Sequence, residues 1–185
     1  ECRTAEILEN VRSCKSEVGV LYLDDFNREV LEKLLADSGL EFTELFPCRT
    51  YVFLAAGHPL AERPLITLED LAPYPCLSFD QGQSFYLAEE VYSTYHYRQV
   101  IKASDRATLL NLMVGLDGYT LCSGILCEEL NGDGYRAVPL DSDKIMHIGY
   151  VKRQGCVLSP LAKIYLEELN RCNVNVLDHP AGPTR

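Results

Sequence analysis

Val52-Phe53-Leu54-Ala55-Ala56-Gly57-His58-Pro59-Leu60, followed after Ala61-Glu62-Arg63-Pro64-Leu65 by Ile66-Thr67-Leu68-Glu69-Asp70-Leu71, is the stretch that decides how the chain is read. Its first half is an apolar run that stops at Gly57 and Pro59, residues that punctuate regular structure. Its second half opens on Thr67 and places an acid, Asp70, three positions on. That is the spacing of a helix start in which each residue can satisfy a backbone N–H of the other. Pro73 and Pro75 prevent the helix from continuing. The proline-rich passage from Pro64 to Pro75 is therefore the expected boundary between two lobes.

Upstream, apolar periodicity alternates between helix and strand. Thr4 is expected to cap a helix that buries Ile7, Leu8 and Val11. Val18-Gly19-Val20-Leu21-Tyr22-Leu23 runs apolar without alternation, as a strand covered on both faces does in a parallel sheet. Asp24 and Asp25 open a second helix, with Phe26, Val30, Leu31, Leu34 and Leu35 on one stripe and Arg28, Glu29, Glu32 and Lys33 facing water. Gly39 ends it. Two strands, Glu41 to Phe46 and Thr50 to Ala56, complete this part.

Downstream come a strand Cys76-Leu77-Ser78-Phe79-Asp80, a polar loop Gln81-Gly82-Gln83-Ser84, a helix from Phe85 to His96 and a strand from Gln99 to Lys102. The next helix takes Ser104 or Asp105 as its cap. Leu109, Leu110, Leu112, Met113, Val114 and Leu116 circle most of its surface, which predicts deep packing. Gly115 and Gly118 lead into a strand, Tyr119 to Cys122, and a short helical piece through Leu130 closes on the turn Asn131-Gly132-Asp133-Gly134. Strands Arg136 to Leu140 and Ile145 to Lys152 follow. The last helix takes Ser159 as cap and Pro160 as its first residue, with Leu161, Ile164, Tyr165, Leu169 and Cys172 as its stripe, and a loose polar tail runs to Arg185.

The alternation gives an α/β class with two helix-covered sheets. Residues 1–71 and 142–185 are expected to form a discontinuous lobe I, and 72–141 lobe II. Two crossings make a hinge, and the cleft between such lobes is where a small molecule is expected.

With 185 residues, the chain is long enough to bury a core. Its 17 Lys+Arg stand against 27 Asp+Glu, a net charge of −10, the wrong sign for a surface that neutralises phosphates. Binding of nucleic acid or anionic lipid by this piece is excluded on that ground. No run of about 18 apolar residues is present to span a bilayer, and Glu1-Cys2-Arg3-Thr4-Ala5-Glu6 lacks the pattern of a signal peptide, so a cytoplasmic protein without membrane association is expected.

Cys2, Cys14, Cys48, Cys76, Cys122, Cys127, Cys156 and Cys172 are scattered one per element, mostly beside Leu, Val or Ile. They read as buried, reduced thiols of a cytosolic core. The closest pair, Cys122 and Cys127, has no second pair near it, so no metal is expected. His58, His96, His147 and His179 have no Ser, Cys or acidic partner at motif spacing. Asp24-Asp25, Glu69-Asp70 and Glu89-Glu90 read as solvated helix starts or faces. Gly132-Asp133-Gly134 is too short for a phosphate loop, and Tyr92, Tyr95 and Tyr97 read as core or dimer-face packing. No catalytic residue and no cofactor are expected.

Taken in order, several segments resemble the effector-binding domain of LysR-type transcriptional regulators. They are Glu6-Ile7-Leu8-Glu9-Asn10-Val11 with the apolar strand after it, Val52 to Leu60 ending Gly57-His58-Pro59-Leu60, and Ile66 to Leu71. Asp105-Arg106-Ala107-Thr108-Leu109-Leu110 through Val114-Gly115-Leu116-Asp117-Gly118-Tyr119-Thr120, and Leu158-Ser159-Pro160-Leu161-Ala162, complete the set, which covers most of residues 4 to 171. The resemblance implies two Rossmann-like lobes joined by a hinge, similar to the type 2 periplasmic binding proteins, with a metabolite in the cleft. It also implies a homodimer or homotetramer and contact with DNA only through an N-terminal winged helix-turn-helix that nothing in this chain matches. Family members enter the domain through a strand, a helix and a second strand before the segment corresponding to Thr4-Ala5-Glu6, so the chain is expected to begin at the end of that second strand.

In such lobes helix N-termini converge on the cleft, where free N–H groups and the helix dipole favour a carboxylate. The expected effector-binding residues are Thr4, Gln81, Gly82, Ser84, Ser104, Asp105, Arg106 and Ser123. For Thr4, Ser84 and Ser104 a plain helix cap, worth about 1 kcal/mol, is the competing reading. Asp105 departs from the family, which often places a small hydroxyl residue there. Its charge would repel an anion unless Arg106 turned in to meet it, so the effector is expected to carry an amino or other donor group. Ser123 stands where the family commonly has proline, and a turn role before Gly124 is the plainer reading. The expected function is ligand sensing in a bacterial transcription regulator. An extracytoplasmic solute-binding protein and a small enzyme on the same scaffold are the rivals, opposed by the unpaired cysteines and by the lack of a catalytic constellation.

Overall fold

The computed structural model describes residues 2–24, 27–82, 97–125 and 132–171. Its elements are α1 (Thr4–Arg12), β1 (Gly19–Leu23), α2 (Arg28–Asp37), β2 (Leu40–Arg49), β3 (Tyr51–Ala55), α3 (Leu68–Leu71), β4 (Cys76–Phe79), β5 (Val100–Ala103), α4 (Arg106–Gly115), β6 (Tyr119–Cys122), β7 (Tyr135–Pro139), β8 (Ile145–Arg153) and α5 (Pro160–Arg171). Among the described residues one sheet has the order β1-β8-β2 and the other β5-β4-β6-β3-β7. The helix expected from Phe85 to His96, the piece through Leu130 and the tail lie outside the described residues, as do Phe26, Cys127 and Cys172.

The chain divides into two compact units. The first holds the described residues through Cys48, Gln81–Gly82, and those from Ile145 on; the second holds Arg49–Asp80 and the described residues from Tyr97 to Lys144. The first unit passes to the second at Cys48–Arg49, and β3 pairs on both sides with strands of the second unit, β6 and β7.

In the first unit β1 and β8 are antiparallel, with Gly19 opposite Val151 and Leu23 opposite His147. The parallel pairing expected for β1 is not found. A continuous apolar run records that both faces are covered and is silent about strand direction. Leu8 and Val11 of α1, Leu31 and Leu35 of α2, Leu23, Leu40 and Val151 form the core. Ile7 and Leu34 pack against it as the stripes require. Asp24, expected in solvent, is 3 % exposed. Its N–H donates to Asn27 Oδ1 at 2.8 Å and its Oδ1 accepts from the Asn27 N–H at 2.8 Å, which settles the turn before α2.

α5 starts as read: Ala162 N–H donates to Ser159 Oγ at 3.1 Å and Ser159 Oγ donates to Glu17 Oε2 at 2.7 Å. Its buried residues are Ala162 and Leu166. The expected stripe instead faces outward, with Leu161 77 % exposed and Ile164 and Tyr165 more than half exposed.

In the second unit β4 is parallel to β5 and to β6, whereas β3 is antiparallel to its neighbours. Thr67 caps α3 with the anticipated reciprocity: Asp70 N–H donates to Thr67 Oγ1 at 3.2 Å and Thr67 N–H to Asp70 Oδ2 at 3.0 Å. Phe53, Leu77 and Met113 form a core, with Leu109, Leu110 and Leu112 packed against it. Deep burial of α4 is not met. Met113 is its one buried residue, and Val114 within the helix and Leu116 at its C-cap are exposed.

Candidate functional site

The expected site residues fall into both units. In the first, the N-terminus of α1 meets the loop after β4. Arg3 is the N-cap and Thr4 the first helical residue, so Thr4 does not cap the helix. Its N–H is one of the donors that a helix start leaves without an intrahelical partner, and it donates to Gln81 Oε1 at 3.0 Å. Gln81 is 6 % exposed, so its side chain acts as a cap brought from 77 residues away. The Arg3 N–H is taken by Glu6 Oε2 at 3.1 Å. Beside them Gly82 has φ +66, and a Cβ there would stand 3.3 Å from Arg3 Nη1. Glycine thus satisfies a left-handed turn and leaves room for the guanidinium.

In the second unit Asp105 is the N-cap of α4. Its Oδ1 accepts from Thr108 N–H at 2.8 Å and its Oδ2 from Thr108 Oγ1 at 2.7 Å. The Thr108 hydrogen bonds hold this exposed carboxyl below the usual aspartate range. Ser104, before the cap, is exposed, as is Arg106 in the first turn. The charge of Arg106 reaches Cys122 on β6, but burial dominates there and pushes that thiol up to about 11. Ser123 Oγ accepts from Ile125 N–H at 3.4 Å, the turn role. Gly124 follows with φ +77, and a Cβ would lie 2.6 Å from the Tyr51 ring.

The structure therefore brings Thr4, Gln81 and Gly82 together in one unit, and places Ser104, Asp105, Arg106 and Ser123 in the other. Ser84 lies outside the described residues. Sequence spacing missed Arg3 as the N-cap, for which an arginine gives no signal, and the Gln81 cap, which depends on tertiary contact.

The histidines have identified surroundings where described. His58 Nδ1 accepts from Leu60 N–H at 3.0 Å, so Nε2 carries the proton and donates to the Asp117 carbonyl at 3.0 Å. The ring packs against Tyr74, centroids 4.4 Å apart. His147 Nδ1 lies 3.1 Å from Glu44 Oε2 on the protein surface, a partner separated by 103 residues and invisible to motif spacing. Among the described residues no group of three His, Cys, Asp or Glu could hold a metal ion. No helix among them is long and apolar enough to cross a membrane.

Residues 2–172 match the LysR substrate binding domain family. Among curated proteins no sequence matches the chain. Solved structures share its fold. The reduced form of OxyR aligns with TM-score 0.64 and 21% identity, over 96% of this chain and 81% of that one. The effector binding domain of QuiR in complex with shikimate aligns with TM-score 0.61 and 13% identity, over 95% and 80%. HinK, a LysR family transcriptional regulator from Pseudomonas aeruginosa, aligns with TM-score 0.59 and 16% identity over 91% of this chain, which spans 56% of the length of HinK. These likenesses are of fold: two lobes of the type that LysR effector-binding domains share with periplasmic binding proteins. The match over residues 2–172 places the chain in the LysR substrate-binding domain family.

Proposed function

We propose that this chain is the ligand-sensing and oligomerising domain of a LysR-type bacterial transcription regulator. It binds a small metabolite and modulates the DNA binding of a helix-turn-helix domain. The family match over residues 2–172 carries the reading. The net charge of −10 supports it, because operator contact then belongs to another domain of the regulator. The regulator acts in the cytoplasm as a homodimer or homotetramer and is not an enzyme.

The effector-binding residues of this reading are Thr4, Gln81, Gly82, Ser84, Ser104, Asp105, Arg106 and Ser123. Asp105 accepts two hydrogen bonds from Thr108, which favour its charged form, so it keeps its negative charge. An amino or other donor group on the effector matches it. Closure on such a ligand shifts the population of subunit arrangements by the difference in its affinity for them.

A thermal-shift panel of amino acids, keto acids, aromatic acids and sulfur compounds tests this reading. A true effector at about 100 times its dissociation constant adds about 2.7 kcal/mol, several degrees for a domain of this size. Silence across the panel argues against sensing. Asp105→Ser that leaves the affinity of a binding compound unchanged removes the donor-group claim.

A further inference from the structure

Tyr51 opens β3 and is half-buried, whereas Val52, Phe53 and Leu54 after it are buried. Register fixes its place in the second unit: Cys122, the last residue of β6, lies directly opposite on one side and Pro139, the last of β7, on the other. β4 is parallel to both β5 and β6, so the start of β3 shares an end of the sheet with the loop after β5. There Asp105 and Arg106 begin α4. Directly opposed residues of an antiparallel pair project to one face, and Cys122 packs against the core of Phe53, Leu77 and Met113 that α4 covers. Tyr51 and the first turn of α4 are therefore on the same side of the sheet and at the same end.

The Tyr51 ring is packed along one edge. The Gly124 backbone, at φ +77, lies against it, and a Cβ there would stand 2.6 Å from Cδ2 and 2.7 Å from Cγ. The hydroxyl lies at the far end of the ring, and no hydrogen bond to it is found among the described residues. The cation on this side is Arg106, whose charge reaches Cys122. Cys14 and Cys156 are exposed, against the expectation of buried thiols. At Cys122 burial dominates and pushes the thiol up to about 11, so no thiolate stands opposite Tyr51. A phenol donor and a guanidinium on one side suit a carboxylate.

We propose that Tyr51 is a specificity-determining residue of the effector site, its hydroxyl taking a carboxylate of the effector beside the charge of Arg106. This role rests on the effector-sensing reading above and narrows the ligand class. A carboxylate at Tyr51 together with an amino group at Asp105 describes an amino acid, whereas a keto acid or a simple amine meets only half of the site.

Calorimetric titration of the unaltered chain and of Tyr51→Phe with the common L-amino acids and their carboxamides tests this. A carboxamide keeps the amino group and loses the anionic charge. An L-amino acid is expected to bind, and its carboxamide at least about tenfold more weakly. Tyr51→Phe removes only the hydroxyl, so it should weaken the acid about tenfold, weaken the carboxamide less, and leave the urea midpoint unchanged. A carboxamide as tight as its acid overturns the proposal whether or not the variant folds. So does an acid affinity in Tyr51→Phe equal to that of the parent, or a lowered midpoint, which assigns the hydroxyl to the folded core. Binding by another class of panel compound but by no amino acid also overturns it and leaves the sensing reading standing, while silence across the whole panel removes both.

Discussion

The imidazole of His58 donates to the carbonyl of Asp117 across 3.0 Å. This bond ties together the two most telling segments of the sequence, the Gly57-His58-Pro59-Leu60 turn after β3 and the Asp117-Gly118 turn after α4. Asp117 has φ +49, a conformation the bond helps to hold. Gly118 beside it leaves no room for a side chain, since a Cβ would sit 2.9 Å from Leu77. The family-like motifs here are thus structural: each supplies one half of a buried joint in the second unit.

His58→Ala leaves the Asp117 carbonyl and the Leu60 N–H without their partner. The expected loss is about 2–3 kcal/mol in urea denaturation. A loss below about 0.5 kcal/mol would show that the joint contributes little.

The same histidine makes stability depend on pH. Burial lowers its folded-state value below the ordinary 6.5, so folding favours the neutral ring. The contribution is complete above the unfolded value of about 6.5 and is lost as the pH falls through the lower folded value. Denaturation midpoints measured from pH 7.5 down to 5 should fall in the parent, and the part of that fall due to His58 should be missing in His58→Gln.

Gly149 lies where β8 passes β2, and a Cβ there would run into the Phe42 ring and the Thr43 carbonyl oxygen. A backbone oxygen cannot swing aside, so Gly149→Ala should destabilise by about 1–3 kcal/mol. Gly57→Ala, with nothing within 4 Å of its Cβ, is the control and should change the melting temperature little.

Much of the local structure was legible because its causes are local. Thr67 and Asp70 specify α3, Ser159 and Pro160 specify the start of α5, and Gly39, with φ +67, ends α2. Features that depend on partners distant in sequence were not legible. The direction of β1 is set by β8, and the donor at Thr4 is met by Gln81. The stripe of α5 is apolar in sequence yet faces outward among the described residues, since periodicity names a face without naming what covers it. Cysteine spacing likewise carried no sign that Arg153 would stand against Cys14.

The Gln81 cap yields a further stability test. Gln81→Leu keeps the apolar stem but leaves the Thr4 N–H without its acceptor. A loss of about 1 kcal/mol is expected in chemical denaturation, together with weaker effector binding. An unchanged midpoint would show that water replaces the amide at no cost.

Effector binding is the central claim, and isothermal titration of a panel-derived metabolite tests it most directly. The account predicts saturable binding at one site per chain, with the affinity reduced at least about tenfold, or 1.4 kcal/mol, by Gln81→Ala and by Ser104→Ala separately. A metabolite that binds both variants as tightly as the parent would contradict it.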